Sequence, residues 1–183
     1  MKRTVLSSVI IASAFLSGIA SANTVNGGRV NFEGELVSAA CAVDMSSMNQ
    51  TIQMGQVRTA SFATTGATSG AVPFDIKLTG CDPTLVGTPA APPTVAVSFV
   101  GVASSTNPNA LAISGGAGTA TGIGIQIRDS SGTPVSMDGT PGTAHEIDRT
   151  TMSIPFQASY ISTAAAVTAG TANATATFAL TYQ

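Results

Sequence analysis

The sequence predicts an all-β protein, and three features support this prediction. Five segments alternate apolar and polar side chains with the period of two that places one face of a strand against a core. Clusters of Gly, Pro, Ser, Asn and Asp separate these segments and are typical of turns. No window longer than about ten residues carries the apolar stripe of a helix. Several short strands in a chain of one domain's length indicate a sandwich of two sheets.

The chain begins with a segment that we expect to be removed. Lys2 and Arg3 precede an apolar run over residues 5–19, and the small residues Ala20, Ser21 and Ala22 follow it. This pattern is typical of a secretory signal peptide. A membrane anchor would need about 20 apolar residues, whereas this run is shorter and is interrupted by serines. We predict that residues 1–22 are cleaved and that residues 23–183 are exported.

The exported chain opens with an alternating segment. One side carries Gly28, Val30 and Phe32, and the other side carries Arg29, Asn31, Glu33 and Glu35. Such a pattern indicates a half-buried strand, but terminal segments fray unless another element holds them. The segment is therefore either the first strand of the protein's own sheet or a strand that pairs with another molecule.

The remaining strands are predicted in order along the chain. The strong segments are residues 72–80, 94–101, 122–129 and 154–160, and a C-terminal strand that carries Phe178, Leu180 and Tyr182. Residues 51–54 and 57–62 are weaker strand candidates. The alanine-rich stretch 162–169 predicts at most one short turn of helix.

The two cysteines predict a disulfide. Cys41 and Cys81 are the only cysteines, and an exported chain reaches an oxidising compartment. In the chain-entropy model, closing a loop of this length stabilises the fold by about 4 kcal/mol. The alternatives are a metal site, which would need more ligands than these cysteines and the single His145, and a redox pair, which is usually spaced C-x-x-C.

Charge and motifs argue against nucleic-acid binding and catalysis. Charged residues make up 9% of the chain, against a typical share of about 25%, and acidic side chains outnumber basic ones, so no basic patch is expected. A hydrophobic fraction of 44% with so few charges indicates a surface that contacts other protein.

The only candidate general base of the Ser-His-Asp type is His145, in a segment that resembles a loop, and no phosphate-binding glycine motif occurs. We therefore predict no enzyme activity, no cofactor, no metal site and no small-molecule substrate.

The two ends of the exported chain resemble the chaperone–usher pilin family. An alternating segment precedes the first cysteine, a second cysteine follows 40 residues later, a glycine lies 14th from the end (Gly170), and the penultimate residue is a tyrosine (Tyr182). The stretches "MGQVRTASF" at 54–62 and "IPFQASY" at 154–160 are similar to the major subunits of type 1 fimbriae.

The resemblance implies an incomplete immunoglobulin-like sandwich that lacks its last strand and is completed by a donor strand from a neighbouring subunit. Residues 23–33 would be the donor extension and residues 34–183 the pilin domain. Gly28, Val30 and Phe32 would enter the neighbour's groove, with the register before Gly28 left open. Gly170, Phe178, Leu180 and Tyr182 would form the groove edge that a chaperone recognises.

The function implied by the resemblance is structural. The chain would be the shaft subunit of a bacterial surface fimbria, a polymer of identical or related subunits served by a periplasmic chaperone and an outer-membrane usher. The alternative is a minor tip or adaptor subunit, or a carbohydrate-binding module of the same family. The chain has no Trp and two Tyr, so the aromatic platforms that stack on sugars are scarce.

Overall fold

The computed structural model describes residues 27–84 and 92–183. The predicted signal peptide and residues 23–26 of the predicted extension lie outside the described residues. The chain divides into two units, Met1–Glu35 and Leu36–Gln183, and this division falls two residues after the expected end of the extension. Within residues 27–35 there is neither helix nor strand, and the side chains of Val30 and Phe32 are 75% and 92% exposed.

The second unit consists of two antiparallel sheets. A five-stranded sheet has the order β1-β2-β7-β5-β4, and a three-stranded sheet has the order β6-β3-β8. The strands are β1 Ala42–Val43, β2 Val72–Thr79, β3 Thr94–Gly101, β4 Leu111–Ala112, β5 Ile123–Asp129, β6 Ala144–Glu146, β7 Thr151–Ser162 and β8 Ala176–Tyr182. One short helix, α1 (Met45–Met48), and a 3-10 turn at Thr59–Ser61 lie between β1 and β2.

The hydrophobic core lies between the two sheets. Alternate side chains of β3 point inward from one sheet and meet alternate side chains of β2, β5 and β7 from the other. Phe99 of β3 packs edge-to-face on Phe156 of β7 at 5.1 Å between ring centroids, and Phe74 of β2 stacks on the same ring at 5.7 Å. Because a shift of one residue would turn every inward side chain outward, this core fixes the register of the strands.

The predicted disulfide is present. Cys41, just before β1, is bonded to Cys81, just after β2, and both are buried. The backbone N–H of Asp82 donates to the carbonyl of Ala40 beside it. The disulfide therefore anchors the chain entering the sandwich to the end of β2.

The five strong strand predictions agree with β2, β3, β5, β7 and β8. The longest strand, β7, extends beyond its predicted bounds because it pairs with β2 on one side and with β5 on the other. Three short strands, β1, β4 and β6, were not predicted, since two or three residues carry no measurable period. His145 was expected in a loop but lies on β6, where it pairs with Val95.

The helical turn predicted at 162–169 is wrong. The backbone N–H groups of Thr163 and Ala164 donate to the carbonyl of Gly122, and the N–H of Thr168 donates to the carbonyl of Thr121. These bonds to a distant segment replace the local bonds that a helix would need. In the part of the chain that the structure describes, no helix is long and apolar enough to cross a membrane.

A carboxylate at the end of β5 organises one end of the sandwich. One oxygen of Asp129 accepts hydrogen bonds from the backbone N–H groups of Ser131 and Thr133, both at 2.9 Å, and from the Ser131 hydroxyl at 2.6 Å. The other oxygen accepts from the Thr143 hydroxyl at 3.0 Å, just before β6. These bonds, led by the one from the Ser131 hydroxyl, lower the pKa of Asp129 below its usual value.

We predict that Asp129→Asn lowers stability at neutral pH and weakens its pH dependence. Because the folded-state pKa is depressed, the contribution of Asp129 is present above the unfolded value of about 3.9 and is lost as the pH falls through the folded value. The test is the free energy of unfolding in urea at pH 7 and at pH 3. Thr143→Val, which removes one bond, should give an intermediate result, and an unchanged pH dependence in Asp129→Asn would contradict the assignment.

Candidate functional site

An open groove of about 800 Å³ with an apolar floor runs along the second unit. We call residues 49–57, of which 49–55 line the groove, its first lip, and residues 172–182, of which 172–176 and 178 line the groove, its second lip. The floor between them is formed by Phe74, Ile76, Phe99, Leu111, Ile125, Ile127, Ala158 and Tyr160. Among the described residues that line the groove, none is charged, so the groove suits an uncharged occupant.

The second lip ends in a strand with a free edge. β8 is the last strand of its sheet and pairs with β3 alone within that sheet. Gln183 and Thr94 exchange two backbone hydrogen bonds, at 2.8 and 3.0 Å. Since backbone groups of successive residues point to opposite sides of a strand, the N–H and C=O groups of Phe178, Leu180 and Tyr182 point away from β3, along the free edge of β8.

The same three residues also contribute to the core. The side chains of Phe178, Leu180 and Tyr182 are half-buried and pack against the buried cluster between the sheets. Phe178 lies 6.5 Å from Phe99 between ring centroids. These three residues therefore have their side chains inward and backbone groups free on the outer edge of β8. Phe178 lines the groove, and the role of Phe178, Leu180 and Tyr182 as the groove edge that a chaperone recognises stays a prediction.

The first lip is extended but unpaired. Gln50, Ile52 and Met54 are half-buried, while Thr51 and Gln53 between them are exposed. Within the described chain, no backbone–backbone hydrogen bond joins residues 50–57 to another segment, and no strand is assigned there. The strands predicted at 51–54 and 57–62 are therefore wrong as strands, because the alternation is present but the pairing partner is not.

Helix α1 explains why the first lip does not continue the pairing that starts at β1. After β1 the chain turns at Asp44, whose carboxylate accepts from the N–H of Ser46 at 2.9 Å and caps the helix. The Ser47 hydroxyl then accepts from the N–H of Lys77 at 2.9 Å, and the Gln50 side-chain amide donates to the carbonyl of Asp75 at 2.7 Å. The side chains of Ser47 and Gln50 thus form hydrogen bonds with the backbone of β2 that a neighbouring strand would otherwise form.

Residues 27–35, which carry the predicted donor residues, are extended without strand assignment. Gly28 has a φ of +134°, a backbone conformation that favours glycine. The role of Gly28, Val30 and Phe32 in filling a groove stays a prediction.

Gly170, predicted at the groove edge, is placed against a neighbouring loop. A Cβ atom built at Gly170 would lie 2.4 Å from the N atom of Ala120 and 2.5 Å from the carbonyl oxygen of Gly118. The next residue, Thr171, bonds to the same loop through both its N–H and its C=O. Gly170 is therefore needed where two backbones meet, just before the second lip begins.

A second, more open cleft of about 690 Å³ contains His145. Its lining carries both signs of charge: Asp44, Lys77, Glu146, Asp148 and Arg149. Arg149 forms an exposed ion pair with Asp148 at 2.7 Å, which lowers the pKa of that carboxyl. The described residues hold no cluster of three or more His, Cys, Asp or Glu that could bind a metal ion.

Sequence reasoning missed several residues that build the groove. Ser47 and Gln50 were not singled out because short polar side chains near a turn carry no signal of which edge they meet. Tyr160 was recognised only as a strand residue. The alternation at 50–54 could have identified the first lip. A segment that alternates like a strand but has no neighbouring strand to pair with leaves one edge of a sheet open.

The comparisons with known proteins agree on one family. A family model described as fimbrial protein matches residues 30–183. The chain is 48% identical to the type-1 fimbrial protein, A chain, of Escherichia coli strain K12 over 189 residues, and 47% identical to the fimbrial subunit type 1 of Klebsiella pneumoniae over 189 residues; each match covers 100% of both chains.

Two solved structures have the same fold. One is a subunit in the structure of a chaperone–usher pilus, with a TM-score of 0.74 and 31% identity over 88% of this chain and 100% of that chain. The other is the P pilus rod subunit PapA, with a TM-score of 0.67 and 29% identity over 79% of this chain and 100% of that chain. The immunoglobulin-like sandwich expected from the sequence is thereby confirmed.

The contact at Gly170 gives a matched pair of variants. Gly170→Ala should destabilise the protein by about 1–3 kcal/mol, because the backbone of residues 118–120 would have to move. Gly70→Ala, whose new methyl group would meet nothing within 4 Å, should be close to neutral. Urea unfolding of both variants measures the difference, and equal stabilities would show that the loop adjusts freely.

Proposed function

The chain belongs to the fimbrial protein family, and we propose that its copies polymerise by donor-strand exchange, with residues 23–33 of one subunit filling the groove of the next. The chain is a structural subunit of the shaft of a surface fimbria, which forms by polymerisation of related pilin subunits. Identities of 47–48% that extend over whole chains support this assignment and favour it over the tip or adaptor alternative.

The proposed mechanism rests on one observation: the groove lies between the unpaired first lip and the free edge of β8. One inserted strand would pair its backbone with the free edge of β8 on one side and with the first lip on the other. The seven residues of β8 extend over about 23 Å at roughly 3.3 Å per residue. A donor of similar length would also place a side chain on the apolar floor at every second position.

The composition of residues 28–33 suits this role. Gly28, Val30 and Phe32 are uncharged and share one face, and the groove lining is uncharged as well. Arg29, Asn31 and Glu33 would stay on the opposite, solvated face. A charge on the inward face would be buried without a partner, which is strongly unfavourable.

An open groove requires a partner before assembly. Unpaired backbone groups beside an open groove with an apolar floor promote uncontrolled association. We therefore assign the covering role to a periplasmic chaperone that binds the edge at Phe178, Leu180 and Tyr182, followed by transfer at an outer-membrane usher. Export by the signal peptide at residues 1–22 would deliver the chain to the periplasm.

A charge on the inward face of the donor segment tests the assembly mechanism. Phe32→Arg should abolish filaments, while Asn31→Arg places the same charge on the neighbouring, outward-facing position and should leave assembly intact. The measurement is the amount of subunit in filaments sheared from cells, with periplasmic subunit as the control for folding. Normal filaments from Phe32→Arg would contradict the proposed donor face.

A second test supplies the donor segment as a separate peptide and measures whether it completes the fold. A chain that begins at Gly34, with the disulfide formed, should gain stability from a peptide spanning residues 23–33. At a peptide concentration 100 times its Kd the gain is about 2.7 kcal/mol, or roughly 5–10 °C in melting temperature.

The same peptide carrying Phe32→Arg is the control and should give no shift. A chain that ignores the unmodified peptide would show that residues 23–33 do not complete the groove.

A further inference from the structure

Both tyrosines of the chain form hydroxyl hydrogen bonds that hold the ends of the second lip. The sequence contains two tyrosines, Tyr160 and Tyr182. The hydroxyl of Tyr160 donates to the carbonyl of Ala172 at 3.1 Å, and the hydroxyl of Tyr182 donates to the carbonyl of Cys41 at 3.0 Å. Burial raises the pKa of both hydroxyls above the ordinary value, so both stay protonated and able to donate.

The Tyr182 bond ties the end of the second lip to the chain just before β1. Tyr182 is the last residue of β8, and Cys41 lies in the segment that leads through β1 and α1 to the first lip. Cys41 is itself held by its disulfide to Cys81. The hydroxyl therefore ties the end of the second lip to a point that the disulfide has already fixed.

The Tyr160 bond holds the opposite end of the second lip. Ala172 begins this lip, and its carbonyl is bonded by a side chain that rises from the groove floor. The neighbouring carbonyl of Asn173 accepts from the N–H of Ser114 at 2.7 Å. The start of the second lip is thus fixed to the five-stranded sheet by Tyr160 and to the chain after β4 by Ser114.

Between these two ends, no backbone–backbone hydrogen bond spans the groove within the described residues. Protein interiors are close-packed, and an unfilled apolar groove favours inward movement of its walls. A groove that had partly closed would capture a strand only in the fraction of time for which it is open.

We propose that Tyr160 and Tyr182 are positioning residues that hold the empty groove at the width of one strand, so that a donor strand or a chaperone strand enters a preformed site. This proposal rests on the donor-strand function above and adds to it the residues that keep the groove ready. Once a strand has been inserted, its backbone hydrogen bonds hold both lips in place. The two tyrosine hydroxyl groups then contribute less to the width of the groove. The tyrosines should therefore control the rate of capture more than the rate of release.

The test uses single variants that remove only the hydroxyl, Tyr160→Phe and Tyr182→Phe. Ser162→Ala is the matched control, because its buried hydroxyl also donates to a backbone carbonyl, that of Thr64 at 2.6 Å, and Ser162 does not line the groove. All three changes are made in the exported chain, residues 23–183, carrying Phe32→Arg to disable its own donor. Capture and release of a fluorescent peptide spanning residues 23–33 are followed by anisotropy.

Each tyrosine variant should slow capture about fivefold, the effect of losing one ordinary hydrogen bond, with release changed less than twofold. Ser162→Ala should lower the melting temperature without slowing capture. Capture at the wild-type rate by both tyrosine variants would overturn the positioning role and leave the donor-strand function standing.

The remaining outcomes separate the two proposals. If no chain, including the one with both tyrosines, captures the peptide, the donor-strand function fails and the positioning role fails with it. If both tyrosine variants fail to fold while Ser162→Ala folds, the hydroxyls serve the fold as a whole, and the positioning role is overturned. Folding is checked by circular dichroism before each measurement.

Discussion

Backbone hydrogen bonding along the groove constrains the rest of the structure. The edge of β8 presents N–H and C=O groups that pair with no strand of its own sheet beyond β3, and the first lip presents another unpaired backbone across an apolar floor. Water can bond to the backbone groups, but it has no comparable interaction with the apolar side chains of the floor. A strand satisfies both at once, because it offers backbone groups on both edges and side chains at every second position.

The surrounding structure keeps this site open. The disulfide fixes the chain before β1, and α1 then carries the first lip away from β2, with Ser47 and Gln50 satisfying the backbone groups of the β2 edge. Gly170 brings the chain close to the loop at 118–120 just before the second lip. These features act locally, and together they leave the first lip unpaired and the outer edge of β8 free.

The low charge of the chain follows from the same function. A subunit whose groove and donor face must come together without water gains nothing from charged side chains there, because each would lose its hydration on assembly. The charges are placed elsewhere: on the opposite face of residues 28–35, in the cleft around His145, and in the turn after β5. A composition with so few charges would favour aggregation of a free monomer. It is suited to a subunit that is assembled with related subunits in a polymer.

The sequence by itself determined the all-β class, the five main strands and the disulfide, because each is marked by a local signal: a period of two, or a single pair of cysteines. Only the tertiary structure decided that residues 51–54 remain unpaired, that His145 lies on a strand, and that the two tyrosine hydroxyls bond to the carbonyls of Ala172 and Cys41. These features depend on which distant segment lies beside each residue. Local alternation gives the face that a side chain occupies, but only the packed sheets give its partner.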